Sequence, residues 1–518
     1  MRTALFLLLL LAMAAVPGSL YPQRSSDPNG VTQYFAANKS LAPVLDSLKL
    51  FDVYSSAWFS AIYLLLFVSL VGCVVPRTIF HAKALVGAPP RTPARLERLA
   101  AFRAAEIEPN QADAHGSSIT AATAIDAART VLRKAGYRVR LCEGDGLSAS
   151  AERGYMRETG NLIFHISLIG ILIAIGIGGG YGYTGQRVLV TGQAFANVPL
   201  SYDSLNRGRF FDDSSLEPYR IILNKFSATY EKQNLKAYGQ PIDYTASVTT
   251  YDEKNVATKR QIKVNYPLEI GGSQVYLLGN GYAPSITVRD KAGTIVFSAP
   301  VPFLPQDANL TSVGIIKVPD GLPVQLGMVA LFYPTSVPLA SGALGSSNPD
   351  LLNPELALRV YKGDLGINSG SPKSVYALNT DTLTLIAGAK AEAPSILLKP
   401  GETKALPENL GTISFNNMAP TSDPTSLKES VQRFASLDIH RDPSQGWVLF
   451  FAVCVLIGLL TSLFIPRRRL WVKAIELADG RVRLEYAGLA RGEDPQLEAA
   501  VADLADRHSQ RLGLRLTQ

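Results

Sequence analysis

The chain has 518 residues, enough for roughly three or four domains of ordinary size. Hydrophobic residues make up 47% of the chain and charged residues only 18%, and the mean hydropathy is +0.12. This composition excludes a disordered chain, a collagen and a wholly water-soluble enzyme. The net charge of +7 would suit a nucleic-acid-binding protein, so the position of the surplus charge has to be examined.

Four apolar runs predict transmembrane helices, because about 20 helical residues cross about 30 Å of hydrocarbon. These predicted helices occupy residues 1–20, 58–76, 159–180 and 446–465. The first also fits a cleavable signal peptide, since Arg2 and a leucine-rich stretch precede the small-residue pattern at 12–14. A retained helix is the favoured interpretation, and both alternatives place the next residues outside the membrane.

Basic residues concentrate in the segments that follow or precede particular ends of these helices. Residues 77–158 contain 13 basic and 9 acidic residues, and residues 466–518 contain 10 and 8. Residues 21–57 contain 3 of each and residues 180–445 contain 23 of each. The positive-inside rule therefore predicts a multi-pass protein of the cytoplasmic membrane, with residues 77–158 and 466–518 in the cytoplasm. The charge surplus indicates topology, and we expect no nucleic-acid partner.

The large segment at residues 181–445 has the pattern of a β-rich domain, whereas the two cytoplasmic segments mix both kinds of element. Short β-rich runs broken by Gly, Pro, Asn and Asp fill residues 181–445, and 291–293 is a hairpin tip. Residues 119–134 have helical periodicity, followed by Gly136 and a short strand. The cytoplasmic tail has two strands and then a helix.

The predicted fold class is therefore a membrane protein with four transmembrane α-helices, a large β-rich extracytoplasmic domain and small α+β cytoplasmic segments. The extracytoplasmic domain covers residues 181–445, and residues 21–57 form a short extracytoplasmic loop. The segments at residues 77–158 and 466–518 are interpreted as two separate α+β modules.

His165 is the only histidine inside one of the apolar runs. An imidazole in hydrocarbon must be hydrogen-bonded, coordinated or turned towards protein, so an intramembrane histidine is a candidate functional residue. Asn161 lies one turn earlier on the same helical face and is a candidate to orient the ring. A metal ligand and a polar bridge between helices both remain open. Gly170, Ala174 and Gly178 form a small-residue ridge for helix packing on the opposite side.

The other histidines lie outside the apolar runs. His440 precedes the last predicted helix and is either an anchor at the membrane interface or a ligand. Given their predicted depths, His165 and His440 should be about 20 Å or more apart, so both cannot bind one iron atom. His81, His115 and His508 are expected at the solvated surface.

Thiol and hydrolytic chemistry are not expected. Cys73, Cys142 and Cys454 are too scattered for a disulfide framework, a zinc site or a CxxC pair. The chain has no CxxCH motif, so it cannot hold a c-type haem covalently. The spacing of its residues matches no Ser-His-Asp, Cys-His or paired-carboxylate catalytic pattern.

Several blocks of sequence resemble the ResB (CcsB) family of System II cytochrome c biogenesis membrane proteins. The matching blocks are LVGCVVPR, AERGYMRETGNLIFH, VNYPLEIGGSQVYLLGNGYAP, and DPSQGW with LTSLFIPRRRLW, in that order along the chain. The resemblance extends from Leu5 to about Trp471, and ETGNLIFH is its most specific part.

This resemblance implies a function that the pattern of residues alone does not give. The family is thought to handle haem b across the membrane, with a CcsA (ResC) type partner, and to present it for covalent attachment to apocytochrome c. A thioredoxin-like thiol reductant would act indirectly. The membrane histidine of the family falls on His165, and an outer histidine falls on His440, which makes both candidate haem-iron ligands. The chain lacks the tryptophan-rich motif of the partner, so it resembles a subunit of a ligase assembly, with no catalytic constellation of its own.

Two other functions compete with this one. The chain could be a membrane-anchored binding or sensory protein whose β domain recognises an external ligand and which holds no cofactor. It could also be a scaffold that positions a partner enzyme. Cofactor binding at His165 separates the first hypothesis from these two.

Overall fold

A computed structural model describes residues 2–99, 101–109, 118–144, 146–234, 236–367, 377–420, 422–423 and 425–514. Two compact units are present. The first consists of Met1–Ile177 together with Ser444–Gln518, and the second is Gly178–Pro443.

The described residues contain eight α-helices. In chain order they are α1 (Arg2–Leu20), α2 (Pro28–Ala37), α3 (Ala42–Ser47), α4 (Ala57–Val86), α5 (Ala121–Lys134), α6 (Met156–Tyr181), α7 (Gln445–Phe464) and α8 (Leu497–Arg511).

The strands are numbered in chain order as well. They are β1 (Ala101–Ile107), β2 (Arg138–Gly144), β3 (Gly146–Arg153), β4 (Tyr183–Val190), β5 (Ala194–Ala196), β6 (Ser204–Arg207), β7 (Arg220–Tyr230), β8 (Pro241–Tyr251), β9 (Ala257–Lys263), β10 (Leu268–Ile270), β11 (Ser273–Ala283), β12 (Ser285–Arg289), β13 (Ile295–Pro300), β14 (Leu304–Pro305), β15 (Ser312–Val318), β16 (Leu326–Tyr333), β17 (Ser336–Pro338), β18 (Leu344–Ser346), β19 (Glu355–Lys362), β20 (Thr384–Ala387), β21 (Ile396–Leu398), β22 (Thr403–Ala405), β23 (Thr412–Asn416), β24 (Gln432–Arg441), β25 (Arg468–Glu476) and β26 (Val482–Ala490).

Four of these helices, α1, α4, α6 and α7, are long and apolar enough to cross a membrane. The prediction of four apolar helices and a large β-rich region is therefore confirmed. Helix α4 is longer than the predicted span, because it continues through Pro76 to Val86. Its first turn is capped by the Ser56 hydroxyl, which accepts a hydrogen bond from the Phe59 amide.

One five-stranded antiparallel sheet forms the soluble part of the first unit. Its strand order is β1-β26-β25-β3-β2, and β25 pairs with β3. Residues 77–158 and 466–518 therefore form one domain, and the prediction of two separate α+β modules is wrong. The physical reason is that neither segment has enough strands to bury a core alone. Helices α5 and α8 cover one face of the joint sheet.

His508 is part of the core of this domain. Its side chain is fully buried, its Nδ1 is 2.8 Å from the Tyr486 hydroxyl, and its Nε2 donates to the Ala124 carbonyl oxygen at 2.8 Å. The prediction of a solvated His508 is therefore wrong, because the face of α8 that carries it packs against α5. His115 lies outside the described residues.

The second unit is built from antiparallel sheets that share two cores. The sheets β10-β11-β24-β4-β6 and β5-β7-β8-β9 enclose one core, and β13-β12-β23-β22 with the sheet of β14, β15, β16 and β19–β21 enclose the other. Alternating burial along β15 and β24 reflects the two faces of each strand. The predicted hairpin at 291–293 is confirmed: Gly293 has a φ of +87° and its amide donates to the Asp290 carbonyl oxygen.

Candidate functional site

Helices α6 and α7 are in direct backbone contact close to His165. A Cβ atom added to Gly160 would lie 2.8 Å from the Gly458 carbonyl oxygen, and one added to Gly458 would lie 2.6 Å from the Phe164 nitrogen. Glycine is needed at both positions because no side chain fits between the helices. Gly170 of the predicted ridge also faces α7, since a Cβ there would lie 2.5 Å from the ring of Phe451.

Helix α4 is bonded to α6 at three levels. The Tyr63 hydroxyl donates to the Leu172 carbonyl oxygen, and Arg77 Nη1 donates to the Asn161 side-chain oxygen at 3.4 Å. His81 Nε2 lies 2.9 Å from the Thr159 hydroxyl. Along α6, His165 lies between Asn161 and Leu172. Helix α6 is therefore held by α4 both before and after His165.

The ring of His165 is held by the backbone of its own helix. Its Nδ1 is 2.7 Å from the Asn161 carbonyl oxygen, and Phe164 contacts it edge-to-face at 5.0 Å between ring centroids. A carbonyl oxygen only accepts, so Nδ1 carries a proton and donates. The lone pair then resides on Nε2, for which the described residues supply no hydrogen bond. Asn161 thus contacts the ring through its carbonyl, while its side chain bonds Arg77.

This geometry fits a haem ligand. Metal-bound histidines donate their second ring N–H to a carbonyl or carboxylate, which fixes the tautomer and directs the other nitrogen at the metal. The ring of His165 is half-buried, so it is not sealed inside the helix bundle. The described residues contain no cluster of three or more His, Cys, Asp or Glu side chains able to hold a bare ion. A metal that arrives in a porphyrin needs only one or two protein ligands.

His440 lies near the end of β24, in the second unit. Strand alternation turns Leu437 and Ile439 into the core and leaves Asp438 and His440 on the other face. Asp438 accepts from His440 Nε2 at 2.6 Å, and the Thr184 hydroxyl lies 3.3 Å from Nδ1. Both ring nitrogens therefore have partners, unlike those of His165.

A cavity of about 340 Å³ adjoins His440. Arg207, Arg441 and Asp442 also line it. Metal binding at His440 would require one of its two hydrogen bonds to break, and the longer bond to Thr184 is the weaker of them. His165 and His440 belong to different units, and each has its own surroundings.

His81 was expected at the solvated surface, and this prediction is wrong. The residue is only 8% exposed, because α4 continues past its apolar run and packs its last turns against the start of α6. The only feature of the sequence that could have indicated this burial is the spacing of Arg77 and His81, since residues four apart share one face of a helix. The partner Thr159 is 78 positions away and no local pattern indicates it.

The chain is similar to proteins of one family. A family model described as the ResB-like family matches residues 1–502. The cytochrome c biogenesis protein CcsB of Prochlorococcus marinus is 26% identical over 285 residues, which cover 53% of this chain and 58% of the relative. The CcsB proteins of Synechococcus and Paulinella chromatophora are each 26% identical, over 284 and 297 residues, and the matches cover 57% and 59% of those relatives.

The aligned part thus spans somewhat more than half the length of these curated relatives. The family model, in contrast, extends from the first apolar helix into α8. With a match over nearly its whole length, the chain belongs to the ResB-like family.

Proposed function

We propose that this chain is a cytochrome c biogenesis factor that handles haem b across the membrane. With a CcsA (ResC) type partner, it presents haem for covalent attachment to apocytochrome c. The names of the CcsB relatives support the process. The observation that carries the proposal is the ring of His165, with its Nδ1 proton held by the Asn161 carbonyl and its Nε2 lone pair available.

The residues of this chain act by holding and orienting. The Asn161 carbonyl keeps the proton on Nδ1, and the close packing of Gly160 on Gly458 fixes the helix that carries His165. When bound, haem supplies the iron and the vinyl groups that form thioethers with cysteine thiols of the apocytochrome. The assembly thus contributes positioning, which is worth several kcal/mol in an oriented reaction, about 7 or more in favourable cases.

The proposed arrangement places the second unit outside the cytoplasmic membrane, where apocytochrome c is reached, and the joint sheet of the first unit in the cytoplasm. The supporting observation is the basic surplus of residues 77–158 and 466–518. A thioredoxin-like reductant would act on the apocytochrome thiols. His440 is proposed as a second ligand at the outer side.

The test is to purify the full chain, alone and with its partner, and to measure haem per chain from the visible spectrum. We expect a Soret band whose amplitude falls strongly in His165→Gly. Phe164→Leu, one position away, is the matched control, because it removes a ring contact and no ligand, and it should keep most of its haem. Absence of a Soret band at any haem loading would contradict the proposal.

The same variants separate haem handling from a scaffold. If His165→Gly abolishes c-type cytochromes in cells but leaves haem occupancy unchanged, the chain positions its partner and does not bind the cofactor. If neither changes, the membrane-anchored binding or sensory function is favoured, and ligand screening of the β-rich unit becomes the next experiment.

A further inference from the structure

The first unit contains a cavity of about 890 Å³ beside the end of α4, the start of α6 and the strands β25 and β26. We call it the arginine cavity, after the five arginines that line it, namely Arg77, Arg157, Arg467, Arg469 and Arg491. None of the histidines predicted as ligands lines it. Its size is in the range of sites for cofactors and other small ligands.

Positive charge exceeds negative charge in the arginine cavity. Two carboxylates line it, Glu152 and Glu158, against five guanidinium groups. Arg467 and Arg469 pair with Glu152 at 2.9 and 3.0 Å, and Arg491 pairs with Glu158 at 2.5 Å. Burial alone would raise the pKa of Glu152, but Arg469 and Arg467 hold this pKa below its ordinary value, so Glu152 stays ionised. The residues that line the cavity thus carry a surplus of three positive charges.

Arg157 is the clearest part of this surplus. Its guanidinium donates to the Arg491 carbonyl oxygen, and no carboxylate of the described residues lies within salt-bridge distance of it. The side chain is half-buried, so the charge is partly withdrawn from water. Such a group is a ready donor for an anionic oxygen, because charge-assisted hydrogen bonds are about twice as strong as neutral ones.

A buried polar atom without a partner also borders the arginine cavity. His81 lines the cavity and is 8% exposed, and its Nδ1 has no hydrogen-bond partner among the described residues. Buried ring nitrogens are nearly always hydrogen-bonded. A ring nitrogen without a partner at a cavity wall therefore indicates that a bound ligand supplies the missing hydrogen bond. Phe80 and Leu489 supply apolar surface on the same wall.

The arginine cavity adjoins the His165 site through a single residue. The Asn161 side chain lines the cavity and bonds Arg77, whereas its carbonyl oxygen holds His165 Nδ1. The two residues are one helical turn apart, which is about 6 Å along α6. A ligand with an anionic edge and an apolar body would therefore contact both.

We propose that the arginine cavity binds the two carboxylates of haem and so receives the cofactor at the end of α6 that precedes His165. This inference rests on the proposed function and adds the recognition element to it. A dianionic edge neutralises most of the surplus of three charges, and the apolar wall accommodates the macrocycle. An anionic phospholipid headgroup has the same sign of charge. A lipid site, however, would not need to adjoin the residue that orients a metal ligand.

The test compares haem with its dimethyl ester, which has the same iron and ring but no carboxylates. The full chain is placed in nanodiscs of neutral phosphatidylcholine, and both compounds are titrated by absorbance. We expect haem to bind about tenfold more tightly than the ester. In Arg77→Gln/Arg157→Gln this difference should disappear. Arg481→Gln is the matched control, because Arg481 is in the same domain, pairs with Glu106 and Asp479, and lies outside the cavity.

The outcomes separate this inference from the proposed function. If the wild-type chain binds haem through His165 but binds the ester equally well, the arginine cavity does not recognise the haem carboxylates. In that case this inference alone is overturned. If the double variant keeps its haem affinity but, purified from cell membranes, lacks the phosphatidylglycerol that the wild-type chain retains in native mass spectrometry, the cavity is a lipid site instead. If the wild-type chain binds neither compound, the proposed function fails as well.

Discussion

Three histidines illustrate how surroundings decide what an imidazole does. His165 keeps one nitrogen available, His440 has both nitrogens bonded, and His508 is fully buried in a domain core. Burial lowers the pKa of His508 from its ordinary 6.5 to about 4, and the hydrogen bond to the Ala124 carbonyl only partly opposes this. His508 is therefore a structural residue whose lowered pKa makes the stability of its domain depend on pH.

The lowered pKa of His508 gives a prediction for the stability of the protein. Between pH 6.5 and about 4, His508 is protonated in the unfolded chain but not in the folded chain. The contribution of neutral His508 to the free energy of unfolding is therefore fully present above pH 6.5 and falls as the pH is lowered. The total loss is at most about 3 kcal/mol. Urea unfolding of the first unit's sheet, followed by circular dichroism of the full chain in detergent, measures it.

The control for this prediction is His508→Gln, which is neutral at every pH. This variant should be less stable than the wild type at pH 7.5, but its urea midpoint should change less between pH 7.5 and pH 5. An equal change in both proteins would mean that His508 titrates normally in the folded state.

Among the helices, the crossing of α6 on α7 is the contact that least tolerates a side chain. Gly458→Ala places a methyl group within 3 Å of backbone atoms of α6, which costs about 2 kcal/mol as an overpacked contact. Gly176→Ala in α6 is the matched control, because no atom lies within 4 Å of its added Cβ. Thermal unfolding in detergent should show a lower Tm for Gly458→Ala only. Equal Tm values would contradict the observed helix contact.

Among the strands, the pairing of β3 with β25 makes residues 77–158 and 466–518 depend on each other for folding. Truncation after residue 465 removes β25, β26 and α8, and exposes the apolar face of α5. We expect trypsin to cleave the truncated chain at Arg129 and Arg133, which the full chain protects in its folded helix. Unchanged cleavage of this segment would mean that it folds as an independent module.

Local patterns predicted the individual elements but not their long-range partners. The hairpin at Asp290–Thr294 and the end of α5 near Gly136 follow from turn residues and periodicity, and both are present. The pairing of β3 with β25 joins residues more than 300 positions apart, and no short pattern encodes it. The contact of His81 with Thr159 escaped prediction for the same reason.

The candidate site was predictable only in part. The position of His165 in an apolar run and its one-turn spacing from Asn161 were visible in the sequence, so the pair itself was predicted. The bond through the Asn161 carbonyl, rather than its side chain, depends on the rotamer that packing selects. The arginine cavity combines residues from three separate segments of the chain, which only the folded molecule brings together.

For the molecule as a whole, the proposed orientation predicts a labelling pattern. In a background without Cys73, Cys142 and Cys454, a cysteine is introduced at Leu200, which is 97% exposed in the second unit, or at Lys134, the exposed last residue of α5 in the first unit. A membrane-impermeant maleimide should label Leu200→Cys in intact cells and Lys134→Cys only after permeabilisation. The reverse pattern would invert the topology and place the arginine cavity outside.

The most direct measurement is chemical rescue of the proposed haem ligand. His165→Gly is purified with its partner, and the visible spectrum is recorded before and after free imidazole is added. Removal of a ring that ligates iron through Nε2 leaves a vacancy that imidazole fills, so we expect a lost Soret band that returns with imidazole. A folded His165→Gly protein whose spectrum equals that of the wild type, or whose lost band imidazole fails to restore, would contradict the assignment of His165 as the haem ligand.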